Sequence, residues 1–319
     1  VRLLKAVDAP IEGLTFSPDG SAIAASIKHQ GVYLWDLQKP NSEPSRPPLE
    51  FGGIDRRGGL SFSADGRSLA WHVQGVRRIY DLDTRKTTTE TTFATNKNNI
   101  KDIAYAADGS MGISLHGIPD YRLLGWRFVE DMWVTSWSLS TQDLAVDSLS
   151  LSSDGQLFAM LTRHALGKGW ERNPRQVEVR DASSKALRGA GQYKYSVEAK
   201  RLLFAPDNRQ LVGLNGMNLV VWPVPEIGDL GTPRLVRNVT RKSFTSMAYH
   251  PSGRRLYVTS NAGKPSDATV HVFDTSSWNR TEQFAWKMGN LKAVAVTPDG
   301  TLAAAGSDHG EIVIWDVDL

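Results

Sequence analysis

A four-residue turn phrase recurs seven times along this chain, and that recurrence constrains the fold more than any other feature. It reads Ser17-Pro18-Asp19-Gly20, Ser63-Ala64-Asp65-Gly66, Ala106-Ala107-Asp108-Gly109, Ser152-Ser153-Asp154-Gly155, Ala205-Pro206-Asp207-Asn208, His250-Pro251-Ser252-Gly253 and Thr297-Pro298-Asp299-Gly300. Between the last residues of successive phrases the spacing is 46, 43, 46, 53, 45 and 47 residues. Short apolar runs rich in β-branched and aromatic residues flank each phrase, so the repeating unit is made of strands. Strand repeats of this length belong to propellers or arrays.

The last repeat shows the unit best. Val294-Ala295-Val296 is an inner strand and Thr297 to Gly300 the turn, where Gly accepts a positive φ that other residues resist. Leu302-Ala303-Ala304-Ala305 is a second strand, small and apolar as a strand buried on both faces should be. Ile312-Val313-Ile314-Trp315-Asp316 is a third, alternating and β-branched. Its aromatic position also repeats, as Trp35, Tyr80, Trp126, Arg180, Trp222, Phe273 and Trp315. Each of the first six precedes the end of the next turn phrase by 31, 29, 29, 28, 31 and 27 residues. A large ring there fills the wedge between neighbouring sheets, in every repeat but the fourth. Trp137 falls too close to Gly155 for this role and belongs to an outer strand, Met132 to Leu139.

Outer fourth strands are expected at Leu49-Glu50-Phe51, Thr88 to Phe93, Ala186 to Tyr193, Leu235 to Val239 and Thr281 to Trp286. The seventh repeat ends before it has one. Residues 2–7, Arg-Leu-Leu-Lys-Ala-Val, form a strand with no repeat of its own, and pairing it beside Ile312 to Trp315 covers an open edge. The expectation is therefore an all-β, seven-bladed β-propeller of four-stranded antiparallel blades, a single domain over residues 1–319, closed by the N-terminal strand 2–7 in the last blade.

The Ser-Pro-Asp-Gly turns and the pairs Trp35-Asp36 and Trp315-Asp316 resemble WD40-repeat propellers, most closely in Val294 to Val317. The resemblance runs the length of the chain and is weaker in repeats three to five. Only two repeats keep Trp-Asp, and the Gly-His pair that precedes the inner strand in this family is missing. The resemblance therefore implies that the Asp-His-Ser/Thr-Trp hydrogen-bond tetrad is absent or rewired. It implies a non-catalytic scaffold or sensor module within a larger protein or complex, and the start at Val1 rather than Met fits such a module. A second resemblance competes. Leu256-Tyr257-Val258-Thr259-Ser260-Asn261 followed by Val270-His271-Val272-Phe273-Asp274 looks like the Tyr-Val-Thr-Asn propellers and their lactonase-like relatives. That class implies an enzyme or small-ligand binder, with a metal or polar cluster using His29, His116 or His309.

The chemistry visible in the sequence favours the scaffold. There are no cysteines, which excludes disulfides and thiol chemistry and leaves the compartment open. Seven histidines form no His-Glu-x-x-His or His-x-His pair, and His72 and His271 sit inside strand patterns as packing residues. No Gly-x-Ser-x-Gly elbow or Gly-x-Gly-x-x-Gly occurs. Each Asp-Gly turn offers one carboxylate where calcium needs several. No cofactor is implied and no apolar run is long enough to span a membrane. A net charge of +3, from 37 basic and 34 acidic residues, is too mild for a dedicated nucleic-acid binder.

A partner would meet the rim opposite the Asp-Gly turns, where the longer loops fall. Thr162 to Gln176 carries Arg163, His164, Lys168 and Trp170; His116 to Arg122 carries Tyr121. With Arg56, Arg57, Lys101, Lys200 and Arg241 these make a basic rim with aromatic anchors. Such a rim suits an acidic protein or peptide partner, bound by a monomeric propeller.

Overall fold

The computed structural model describes residues 1–39, 43–44, 59–73, 76–90, 100–106, 110–116, 122–129, 132–164, 175–193, 201–226, 228–238, 243–261 and 268–318. These residues form seven antiparallel sheets, one per repeat, and no helix. No helix among them is therefore long and apolar enough to cross a membrane. Six sheets have four strands; the first, Ile11–Phe16, Ala22–Ile27 and Gly31–Asp36, has three among the described residues. Its expected outer strand at Leu49-Glu50-Phe51 lies outside them. The other outer strands are Thr87–Glu90, Met132–Ser140, Leu187–Tyr193, Arg234–Arg237 and Arg280–Ala285, close to the expected bounds.

The seventh sheet is completed from the chain start. Arg2–Lys5 runs antiparallel to Glu311–Asp316, with Arg2 opposite Ile314 and Leu4 opposite Ile312. The Ala6 amide extends the ladder to the Gly310 carbonyl at 3.0 Å. Gly310 has φ +73°, and a Cβ there would run into the Val7 carbonyl, so the chain-start strand needs this glycine.

The chain divides into two compact units. One comprises residues 1–98 and 240–319, the other residues 99–239. In the first, the inner strands Ser243–Tyr249, Leu291–Val296, Ile11–Phe16 and Ser61–Phe62 lie side by side in that order. In the second the order is Ile100–Tyr105, Leu144–Leu151 and Arg201–Phe204. An inner strand is a sheet edge, and its spare amides need partners. Short polar side chains on the preceding sheet supply them. Asp102 Oδ2 accepts from the Leu149 amide at 3.0 Å. Ser148 and Ser150 Oγ accept from the amides of Leu202 and Phe204 at 3.1 and 3.2 Å.

Six of the turn phrases work as the sequence predicts; residues 107–109 of the third lie outside the described residues. The last residue has positive φ in Gly20, Gly66, Gly155, Asn208, Gly253 and Gly300, and its amide bonds back to the first residue's carbonyl. In the seventh phrase Asp299 Oδ1 accepts from Thr297 Oγ1 at 2.6 Å and from the Thr301 amide at 3.0 Å. The ring position fills wedges. Trp222 packs on Tyr193 of the preceding sheet, centroids 5.9 Å apart. Trp315 meets Tyr257 and Phe284 of the sixth sheet and Trp286 just past its last strand, the last at 5.0 Å. Truncating such a ring to Ala costs about 3–5 kcal/mol. In the fourth sheet Arg180 occupies the position by pairing its charge: Nε donates to buried Glu178 at 2.8 Å and Nη1 to the Lys185 carbonyl at 2.9 Å. Trp137 lies on the outer strand, stacked on Phe158 at 5.5 Å and packed over Gly125.

Candidate interaction rim

Each inner strand with a full ladder carries one bulge near its start. The residue left without an opposite number is Glu12, Lys101, Asp147, Thr245 or Lys292. All five stand eight residues before the end of a turn phrase. A bulge re-aims its side chain away from the regular alternation of a strand. The residues at these bulges are mostly charged.

Asp147 shows what this achieves. The strands Leu157–His164 and Arg175–Asp181 pair with Arg163 opposite Arg175. Both guanidinium groups reach Asp147 of Leu144–Leu151: Arg163 Nη2 lies 3.3 Å from Oδ1 and Arg175 Nε 2.9 Å from Oδ2. The three side chains are only 9–15% exposed, so little solvent screens them. Two cations thus flank one carboxylate where the strands meet segment 165–174. His164, next in line, is exposed.

Of the residues expected at this rim, Arg163 is thus buried and paired while His164 faces solvent. Lys101 is the bulged residue of the third sheet's inner strand. Trp170, Tyr121, Arg56, Arg57, Lys168, Lys200 and Arg241 lie outside the described residues. Sequence reasoning missed Asp147 and the pairing role of Arg175. The signal was the constant eight-residue offset from the turn, legible only once the bulge is known.

The histidines do packing and hydrogen-bonding work. His72 is fully buried; burial, then the charge of Arg77, push it down to about 3, so the ring is neutral. His271 bonds through Nε2 to Ser260 Oγ at 2.7 Å and Thr269 Oγ1 at 3.3 Å. His29 is an exposed turn residue with φ 58°. His309 sits on a turn with Nδ1 3.2 Å from Asp8 and Nε2 3.7 Å from Asp308. Among the described residues no group of three or more His, Asp or Glu side chains is arranged to hold a metal ion.

His116 belongs to a rewired form of the expected tetrad. Trp126 Nε1 donates to Ser114 Oγ at 2.8 Å, and that hydroxyl meets His116 Nε2 at 2.9 Å. The histidine comes from the serine's own strand, Met111–His116, rather than from the preceding loop. Ser114 stands two residues beyond Gly112, the residue opposite Trp126. The same place is Gly213 in the fifth sheet and Ala305 in the seventh. There Nε1 of Trp222 and of Trp315 has no partner among the described residues.

Residues 286–316 match the family model described as WD domain, G-beta repeat. The chain is also similar in structure to the β-propeller domain of Cps50 (Swd1) from Myceliophteria thermophila, with a TM-score of 0.73 over 99% of both chains at 16% identity. A search among curated proteins finds no match. The fold is therefore that of a β-propeller, and the last repeat is a WD repeat.

Proposed function

We propose that this propeller is a non-catalytic platform for protein interaction, working as a single domain within a larger protein or assembly. One observation carries the reading most. Polar side chains hold the scaffold in turn caps, sheet-to-sheet bonds and buried pairs, and in the fourth sheet they gather Arg163 and Arg175 around Asp147 where the strands meet segment 165–174. Rigid sheets bearing variable loops are how such a fold presents binding residues.

The rim's partner is an acidic protein or peptide. Trp170 and Tyr121 serve as aromatic anchors, with Arg56, Arg57, Lys168, Lys101, Lys200 and Arg241 around them and His164 beside the Asp147 cluster. Affinity capture from native lysate tests this by comparing the wild type with a Trp170→Ala, Arg56→Glu, Arg57→Glu variant. A partner held by the wild type and lost by the variant is the expected result. Equal capture by both would mean that another face binds.

A further inference from the structure

The chain-start strand that completes the seventh sheet is also its outer edge, and among the described residues nothing pairs with its outer side. Such an edge offers a row of main-chain groups to any chain that can pair with it. One bond tells which groups are offered. The Ala6 amide donates to the Gly310 carbonyl at 3.0 Å, so these two form a hydrogen-bonded pair. Pairs of that kind alternate along an antiparallel ladder. Arg2 and Leu4, opposite Ile314 and Ile312, therefore turn their main-chain groups inward, and Leu3 and Lys5 turn theirs outward.

The side chains alternate too. Leu4 is buried beside Ile11 and Tyr33 of the first sheet, and Arg2 donates to the carbonyls of Leu37 and Lys39 at 2.9 and 2.6 Å. Leu3 and Lys5 stand on the other face, where Leu3 is 60% exposed and the Lys5 side chain 62%. Val1 shares that face and is exposed as well. Together they prolong an apolar surface. Leu3 lies beside Val313, which belongs to the cluster that Trp315 forms with half-buried Phe284 and Trp286. The outer strands of the second and sixth sheets differ: their exposed residues are Thr88 and Thr89, and Arg280, Thr281, Glu282 and Gln283. The chain-start strand has no bulge and no proline to blunt its edge, and a single lysine on its exposed face.

A second copy of the same strand fits this edge. A two-fold axis at Leu3 sets Leu3 opposite Leu3 of the second copy, and Val1 opposite its Lys5. All of these turn their main-chain groups outward, so each pair can exchange bonds. Leu3 packs on its counterpart, and the Lys5 stem lies along Val1. Arg2 falls opposite Leu4, and Lys5 keeps Glu311 of its own sheet at 3.8 Å, so no like charges oppose one another.

We propose that two copies of this propeller associate through their chain-start strands, paired antiparallel about Leu3 so that two seventh sheets become one. A single strand pair buries far less than the roughly 1,600 Å² of a standard interface, so the association is reversible and set by concentration. It departs from the monomer expected from the sequence, and it stands or falls separately from the rim proposed above.

Sedimentation velocity of the whole chain, from about 1 μM to about 1 mM, should show the mean mass rising from monomer towards dimer. Lys5→Pro removes an outward amide and no inward one, and edge strands tolerate proline. Leu3→Glu leaves the backbone alone and sets two carboxylates opposite each other. Each should weaken association by about tenfold or more, with the melting temperature of the dilute protein unchanged. Because the chain has no cysteine, Leu3→Cys installs one thiol per copy. Facing Cα atoms at such a pair lie about 5.5 Å apart, within disulfide reach. Mild oxidation should therefore link Leu3→Cys copies faster than Leu187→Cys copies, whose thiol is similarly exposed on the fourth sheet's outer strand. A monomer throughout the concentration range, association that survives both Lys5→Pro and Leu3→Glu, or equal linking at the two cysteine positions would overturn the proposal.

Discussion

Ser114→Ala is the sharpest perturbation of this fold, since one oxygen serves two buried groups. Ser114 is fully buried, and Trp126 and His116 are 1% and 4% exposed. The hydroxyl accepts from Trp126 Nε1 at 2.8 Å and meets His116 Nε2 at 2.9 Å. A net hydrogen bond is worth about 0.5–1.5 kcal/mol, and a buried group deprived of its partner costs about 1–3 kcal/mol. Removing the oxygen loses both buried bonds and should then cost about 1–3 kcal/mol, a sizeable share of the roughly 5–15 kcal/mol that holds a domain together. Urea unfolding measures it. Trp126→Phe keeps an aromatic body but removes the donor, and its cost should be smaller in the Ser114→Ala background. A coupling of about 1 kcal/mol is expected; costs that add to within about 0.3 kcal/mol would refute the network.

The converse experiment is Ala305→Ser, which offers Trp315 Nε1 the acceptor that Trp126 already has. It should raise stability by about 0.5–1.5 kcal/mol, and a loss would show that the seventh sheet cannot seat the hydroxyl. Deleting residues 1–7 removes the ladder on Ile312 and Ile314 and the buried Leu4, and should cost about 3 kcal/mol or more. An unchanged unfolding midpoint would count against the chain-start strand as the seventh sheet's fourth member. Acid should also act on the hairpin turns. Bonds from Ser276, then the Ser277 amide and hydroxyl, hold the Asp274 carboxyl down at about 2. A lowered folded value means that the stabilisation is complete above the unfolded value of about 4 and is lost as pH falls through the folded one. Asp274→Asn should flatten the stability profile in that window, and an identical acid limb would contradict the assignment.

The fold was legible because its information is repeated. A turn phrase with Asp before a positive-φ residue, and a ring at a fixed offset from it, recur often enough that single departures do not hide them. Arg180 looked like a lapse in the pattern. It holds the same place by a different force, through Glu178 and the Lys185 carbonyl. The Trp-Asp signature proves to be two separate devices. The ring fills the wedge, and the Asp that follows it holds the hairpin turn, as in Tyr80-Asp81, Arg180-Asp181 and Phe273-Asp274. Counting only Trp-Asp pairs undercounts the turns that keep the second device.

The binding surfaces were less legible for the complementary reason. They arise where one repeat departs from the others, and a departure has no second instance to average against. Asp147 draws Arg163 and Arg175 together only because the inner strand bulges at that residue, and an extra residue in a ladder leaves no mark in strand-forming propensity. Arg127 reads as a degenerate Trp-Asp until the register shows its hairpin running past the place where the others turn. In a repeat protein the shared residues specify the scaffold, so a residue that breaks the pattern without serving the scaffold is the better guide to a ligand. Arg180 breaks the pattern and serves the scaffold; Arg127 breaks it and faces an open cavity.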